Sequence, residues 1–291
     1  MSVGARGVFS APFDAHLFEV ARLPAPDVED GAATLAALDA LLDARGHELA
    51  ALVVEPLCLG AGGMRVWSEA TLRALAARCR AHDVLLVADE VMTGFGRTGP
   101  LFACGGAGVE PDVVCLSKGL TGGFLPLGAT AVRDALFDAF LGDDRRLTFF
   151  HGHSFTANPI ACAAALASLD LLRRPACAAA RTRIEAAHQR HLARIAAHPA
   201  VRAPRVLGTV AAFDLVASDG ASGYLAPVGR QLAEYALAEG VLLRPLGDAC
   251  YVLPPYCTTD DELALAYGVV ERFLDGARAP ARDGGGVLDD A

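Results

Sequence analysis

Lysine is scarce in this chain of 291 residues, and its cations are outnumbered: 25 Lys and Arg face 34 Asp and Glu, a formal net charge of −9. That balance favours solubility and argues against a nucleic-acid surface, which needs clustered cations. No apolar run approaches the ~20 uninterrupted residues of a membrane helix. The N-terminal "MSVGARGVFSAPFDAH" lacks the continuous apolar core of a signal peptide, so the expected compartment is the cytoplasm. None of the eight cysteines (58, 79, 104, 115, 162, 177, 250 and 257) has CxxC spacing, which predicts reduced thiols rather than a disulfide framework. The glycines of "GAGGM" do not complete GxGxxG, because Arg65 occupies the last position, so no dinucleotide site follows. Where lysines are so few, one in a special place carries weight.

A hydrophobic content of 53% in this length can build a substantial core, in one large and one smaller domain. The expected division is 1–172 for the large domain and 173–275 for the small one, with 276–291 a disordered tail. Residues 1–31 read as irregular. Helical periodicity begins at Ala32, with Leu35, Leu38 and Leu42 on one face. "LAALVVEP" (49–56) reads as a buried strand. A helix follows with Ser68 as N-cap and Leu72, Leu75, Ala76 and Cys79 on one stripe. "DVLLVADE", "PDVVCLSKG" (111–119) and "LGATAV" (127–132) are the next strands, and apolar runs between helices predict parallel strands covered on both faces. "ANPIACAAALASLDLL" opens a helix with Asn158 as N-cap and Pro159 at its first position. A helix over about 178–197 groups Ile184, His188, Leu192 and Ile195. Strands near 205–216, 241–244 and 250–253 then alternate with helices near 226–239 and 260–274, the last opened by the capping box Thr259 to Glu262.

Three successive strands therefore end in Glu55, Asp89 and Lys118. Ligands of open α/β sheets bind outside the carboxyl ends of the strands. A carboxylate and a lysine on that rim can be a plain salt bridge. The surroundings of Lys118, "LSKGLTGG", favour more, because small residues let a planar ligand approach the backbone. An amine held in an apolar pocket loses part of its preference for the charged form and becomes a usable nucleophile for Schiff-base chemistry. An acid on the neighbouring strand can hold a proton on a ring nitrogen. Pyridoxal phosphate requires that pair: a lysine on the aldehyde and an acid on the pyridinium nitrogen.

"EPLCLGAGGM", "ADEVMTGFGRTG", "LSKGLTGGFLPLGA" and "FHGHSFTANPIACAAALASL" together resemble the motifs of class III, fold-type I pyridoxal-phosphate aminotransferases. The resemblance runs from about residue 1 to about residue 274. Met92, where many of the family carry Gln, and "GVLLRPLGDACYVLPPY" point to the branch that transfers an amino group from adenosylmethionine to an oxo-acid in biotin synthesis. The resemblance implies a partial large domain with a mostly parallel sheet and a smaller α+β C-terminal domain. It implies that Lys118 carries the cofactor aldehyde and moves the proton between substrate and cofactor, while Asp89 pairs with the pyridinium nitrogen. "HGHSF" would cross a homodimer interface to the phosphate of the partner's cofactor through Ser154 and nearby N–H groups, with Gly152 and His153 lining the site. Arg244 would bind the substrate carboxylate, since a guanidinium fork suits one. Glu55 would order the site or balance an arginine, and Arg97 would tie down its turn. His151 and His153 have His-x-His spacing, but no further cluster completes a metal shell, so no metal is expected.

Members of the family carry a considerable stretch before the point where this chain begins, which supplies a Gly-Ser phosphate cup and an aromatic that stacks on the ring. No equivalent stands in the first 30 residues, and the single tryptophan, Trp67, lies in a different motif. The expectation is a chain that keeps the chemistry-bearing residues, exposes apolar surface, and grips the cofactor weakly or not at all alone. The alternatives are another class III ω-aminotransferase, or a non-catalytic fragment of such an enzyme.

Overall fold

The computed structural model describes residues 1–26, 31–217 and 220–276. The expected tail beyond Gly276 lies outside them. A short 3-10 turn, Ala11–His16, is the first element, and α1 (Ala32–Arg45) follows with Leu38 and Leu42 buried and Leu35 packed beside them. Next come β1 (Ala51–Val54), a two-stranded antiparallel arm of β2 (Cys58–Leu59) and β3 (Arg65–Val66), and α2 (Glu69–Ala81). Helix α2 starts where expected because the Ser68 hydroxyl accepts the Thr71 N–H. Its predicted stripe, Leu72, Leu75, Ala76 and Cys79, is buried against α1 and the sheet.

The main sheet adds β4 (Leu85–Asp89), β5 (Val113–Leu116) and β6 (Ala129–Val132), with a short helix α3 (Ala103–Gly106) between β4 and β5. The strand order is β1-β4-β5-β6, with the first two pairings parallel and β5–β6 antiparallel. Two expectations need correction here. Strand β1 is an edge strand with Ala51 and Val53 exposed, not a buried one, because only β4 pairs with it. Strand β6 runs antiparallel and all four of its residues are exposed, since it is the other edge. The apolar runs alone could not separate an edge from a centre.

Helix α4 (Asp134–Asp138) leads into an exposed stretch, and α5 (Pro159–Leu172) begins where Asn158 Oδ1 accepts the Ile160 and Ala161 N–H groups. Helix α6 (Pro175–Ile195) is longer than expected, and it buries Ile184, His188, Leu192 and Ile195. A second sheet, β7 (Val201–Leu207), β8 (Val210–Leu215) and β9 (Ala249–Val252), is antiparallel throughout. The single strand expected over 205–216 is thus a hairpin, turned at Gly208 with φ +55°. Residues 241–244 form no strand; that run finds no ladder partner. Helices α7 (Pro227–Ala238) and α8 (Asp260–Leu274) cover this sheet, and α8 carries the expected capping box at Thr259 and Glu262.

A separate core cluster joins the two sheets: Cys58, Met64 and Met92 pack with Val210 and Ala212 of β8, and Tyr251 lies against them. Arg205 of β7 spans the same junction, donating to Met64 O at 2.8 Å, Gly63 O at 2.6 Å and Asp214 Oδ1 at 2.7 Å. All eight cysteines are free thiols. Burial pushes Cys58, Cys104 and Cys250 up to about 12, which leaves them unreactive at neutral pH. Among the described residues no helix is long and apolar enough to cross a membrane.

Candidate active site

Parallel pairing of β1, β4 and β5 brings their carboxyl ends to one rim. Val54 pairs with Ala88, and Asp89 pairs with Cys115. Glu55 follows β1 directly, Asp89 is the last residue of β4, and Lys118 stands two residues beyond β5. The Glu55 carboxyl senses both other charges. Burial pushes it above the usual carboxylate range and Asp89 adds to that rise, while the Gly60 N–H and the Lys118 ammonium oppose it. Glu55 Oε2 accepts the Gly60 N–H at 2.9 Å, and Asp89 Oδ1 accepts the Val91 N–H at 3.1 Å. Met92 presses on the same corner: a Cβ added to Gly60 would lie 3.1 Å from Met92 Cε.

Lys118 is the only lysine in the chain. It opens a 3-10 turn, Lys118–Thr121, rather than ending the strand as its motif suggested. Its φ is +44°, a left-handed conformation that costs a residue with a Cβ about 1–2 kcal/mol. The turn is fastened on several sides. Ser117 Oγ donates to Leu127 O at 2.8 Å, Thr121 Oγ1 to Leu125 O at 2.5 Å, and Ser168 Oγ of α5 to Gly119 O at 3.2 Å. Leu120 and Thr121 are buried, whereas Lys118 itself is exposed.

Glu90, next to Asp89, takes no part in this rim. It is fully buried, and its oxygens accept the Thr93 hydroxyl at 2.7 Å and the Ala103 and Cys104 N–H groups at 3.1 and 2.8 Å. One carboxylate of the pair faces the rim and the other ties the following turn to the start of α3. Sequence reasoning gave Glu90 no role; the three-residue spacing to Thr93 was the one available hint.

Arg97 holds its turn as expected, although its main partner is distant in sequence. Its Nη1 donates to Pro254 O at 2.7 Å, and the guanidinium lies 4.7 Å from the Tyr256 ring centroid. Burial lowers its affinity for the proton, and Tyr256 opposes that. Arg244 is exposed just before β9, close enough to Tyr251 for its charge to oppose the rise that burial imposes on that phenol. Through Tyr251 it borders the cluster that contains Met92.

Gly152, His153 and Ser154 are not joined to this group. They lie on an exposed segment where the His153 N–H donates to Thr156 Oγ1 at 2.9 Å and the Phe155 N–H to His153 Nδ1 at 3.1 Å. Large apolar side chains accompany them: Phe150 is 83% exposed and Phe155 72%, with Phe124, Phe149 and Ile160 also open. Among the described residues no group of three or more His, Cys, Asp or Glu could hold a metal ion.

The parallel strands β1, β4 and β5 thus carry a glutamate, a carboxylate and a lysine at or just beyond their carboxyl ends. The chain belongs to the class-III aminotransferase family, whose sequence model matches residues 1–274. It is 49% identical over 283 residues to the adenosylmethionine-8-amino-7-oxononanoate aminotransferase of Synechococcus elongatus, covering 94% of this chain and 65% of that protein. The like-named protein of Geobacter sulfurreducens is 39% identical over 289 residues, covering 94% of this chain and 64% of that one. The crystal structure of adenosylmethionine-8-amino-7-oxononanoate aminotransferase from Methanocaldococcus jannaschii superposes with a TM-score of 0.84 at 29% identity, over 93% of this chain and 64% of that one. An amine transaminase from an uncultivated Pseudomonas species, solved in its PLP-bound form, gives 0.77 at 33% identity over 84% of this chain and 56% of that one. The chain thus spans just under two thirds of the length of the curated relatives cited.

Proposed function

We propose that this chain carries the amine and acid of a pyridoxal-phosphate-dependent aminotransferase. The reaction is transfer of the amino group of S-adenosylmethionine to 8-amino-7-oxononanoate, giving 7,8-diaminononanoate for biotin synthesis. The observation that carries this reading is Asp89 and Lys118 at the tips of adjacent parallel strands, with Glu55 sensing both. The donor set fits the cofactor: one primary amine for an aldehyde, one carboxylate for a ring nitrogen, and Gly119, Gly122 and Gly123 in and after the amine-bearing turn. When bound, pyridoxal phosphate supplies an electron sink for the carbon that loses its proton.

The chain's own residues divide the remaining work. Lys118 offers its Nζ as nucleophile and then as the group that carries the proton between substrate and cofactor carbons. Asp89 holds a proton on the ring nitrogen. Glu55, braced by Gly60, keeps the corner between them in place. Arg244 takes the substrate carboxylate with its guanidinium fork. His153 and Ser154 serve a neighbouring copy's cofactor phosphate across a homodimer interface, with Gly152 lining the substrate side, and the exposed apolar stretch around Phe150 and Phe155 supports that interface.

The test uses the chain's single lysine. The purified protein is mixed with pyridoxal phosphate and treated with borohydride, and the site of label is read by mass spectrometry. Label on Lys118, lost in Lys118→Ala, is expected; equal labelling of that variant defeats the assignment. The amine transaminase among the structural neighbours favours a second reading, an ω-aminotransferase. Amino-donor profiling separates the two: preference for adenosylmethionine over alanine or glutamate supports the first.

A further inference from the structure

Two residues with left-handed backbones meet beside the lysine. Lys118 has φ +44° and Phe95 has φ +60°. A Cβ added to Gly119 would lie 2.8 Å from Phe95 Cβ and 2.9 Å from Phe95 Cδ2, so the phenylalanine abuts the backbone that immediately follows Lys118. Such conformations persist only where the surroundings over-determine them. The packing of Phe95, which is 3% exposed, with Leu120 supplies part of that constraint.

The other part comes from the second sheet. Tyr256, just after β9, donates its hydroxyl to Phe95 O at 2.8 Å across 161 positions of sequence. Its ring packs on the cluster of Phe95 and Leu120. Its faces are held by two guanidiniums, with Arg97 Cζ 4.7 Å and Arg181 Cζ 5.7 Å from the centroid. Arg97 is pinned in turn by its bond to Pro254 O and by the Thr209 N–H, which donates to Arg97 O at 2.9 Å.

We propose that Tyr256 is a positioning residue for Lys118: its hydroxyl fixes Phe95, and Phe95 holds the Gly119 backbone so that the lysine keeps its left-handed turn. The proposal rests on the reading of Lys118 as the cofactor-bearing amine, and it makes the second sheet a determinant of that amine's orientation. Tyr256 touches no reacting atom; it acts through Phe95.

Tyr256→Phe keeps the ring and removes the hydroxyl. The matched control is Tyr267→Phe, which removes from α8 a buried hydroxyl bonded to His188 of α6. Hydrogen exchange of the full chain without cofactor is read by mass spectrometry. We expect exchange in 117–122 to rise about tenfold in Tyr256→Phe, with α8 unchanged, and to stay at its original rate in Tyr267→Phe. An amine-acylating reagent then reports on the only lysine, and the rate of Lys118 acylation at fixed pH changes in Tyr256→Phe alone. Phe95→Leu removes the ring from Gly119 and reads the same brace should Tyr256→Phe not fold. Unchanged exchange in 117–122, or an unchanged acylation rate, overturns the proposal. Absence of borohydride trapping in the unsubstituted chain would instead overturn the cofactor assignment and leave the brace standing.

Discussion

Asp89 pairs across the ladder with Cys115, three residues before Lys118, so a carboxylate and the chain's only lysine share one rim of the parallel part of the main sheet. The proposed function gives them different duties. Asp89→Asn keeps the shape and removes the charge that, on the proposed function, would hold a proton on the ring nitrogen. Borohydride trapping on Lys118 should persist, while amino transfer falls by roughly a hundredfold or more. Loss of trapping together with activity would mean that Asp89 supports the lysine rather than the ring.

Arg205 fastens the arm after Glu55 to the second sheet. Its guanidinium satisfies Gly63 O, Met64 O and Ala203 O, and pairs with Asp214 at 2.7 Å. With only 11% of the Arg205 side chain exposed, Arg205→Ala should cost about 2–3 kcal/mol in urea unfolding. Arg205→Lys should recover less than half of that, because a compact ammonium cannot span the fork's partners.

His188 makes stability pH-dependent. It is fully buried, with Nδ1 2.7 Å from the Tyr267 hydroxyl and Nε2 3.2 Å from Thr209 O. Burial pushes its pKa down from 6.5 to about 4. Between those values the unfolded chain takes up a proton that the folded chain refuses. Stability should therefore be flat above pH 6.5 and fall as the pH drops through that window, by about 3 kcal/mol in all. Denaturant midpoints from pH 7.5 to 4.5 measure it, and His188→Gln should remove this group's share of the slope.

Phe150 and Phe155 test the proposed partner copy. Both are largely open, so Phe150→Ser with Phe155→Ser should leave unfolding free energy within about 0.5 kcal/mol per site. Self-association in analytical ultracentrifugation should weaken. An unchanged sedimentation profile would remove this stretch from the interface.

Legibility in the sequence followed the range of the forces involved. The Ser68, Asn158 and Thr259 caps were readable because a capping side chain and its N–H partner lie within a few residues. The hairpin at Gly208 was missed although its glycine was visible. Part of what demands it is remote: a Cβ there would lie 2.5 Å from Arg97 O. Residues 241–244 have strand composition but no partner strand, and composition cannot supply a ladder. That Glu55, Asp89 and Lys118 share one rim is legible because each follows a local apolar run; the contacts of Tyr256 and Arg205 are not, since their partners stand 161 and about 140 positions away.

The sequence alone determined that two carboxylates and a lysine stand at or just beyond the ends of successive strands, because apolar runs and helix caps are local physics. Tertiary structure alone decided that Glu90 turns inward, that Lys118 sits in a left-handed turn, and that Phe95 and Tyr256 stand behind it. Those outcomes depend on packing and on which buried polar groups find partners, and both are properties of the folded chain as a whole.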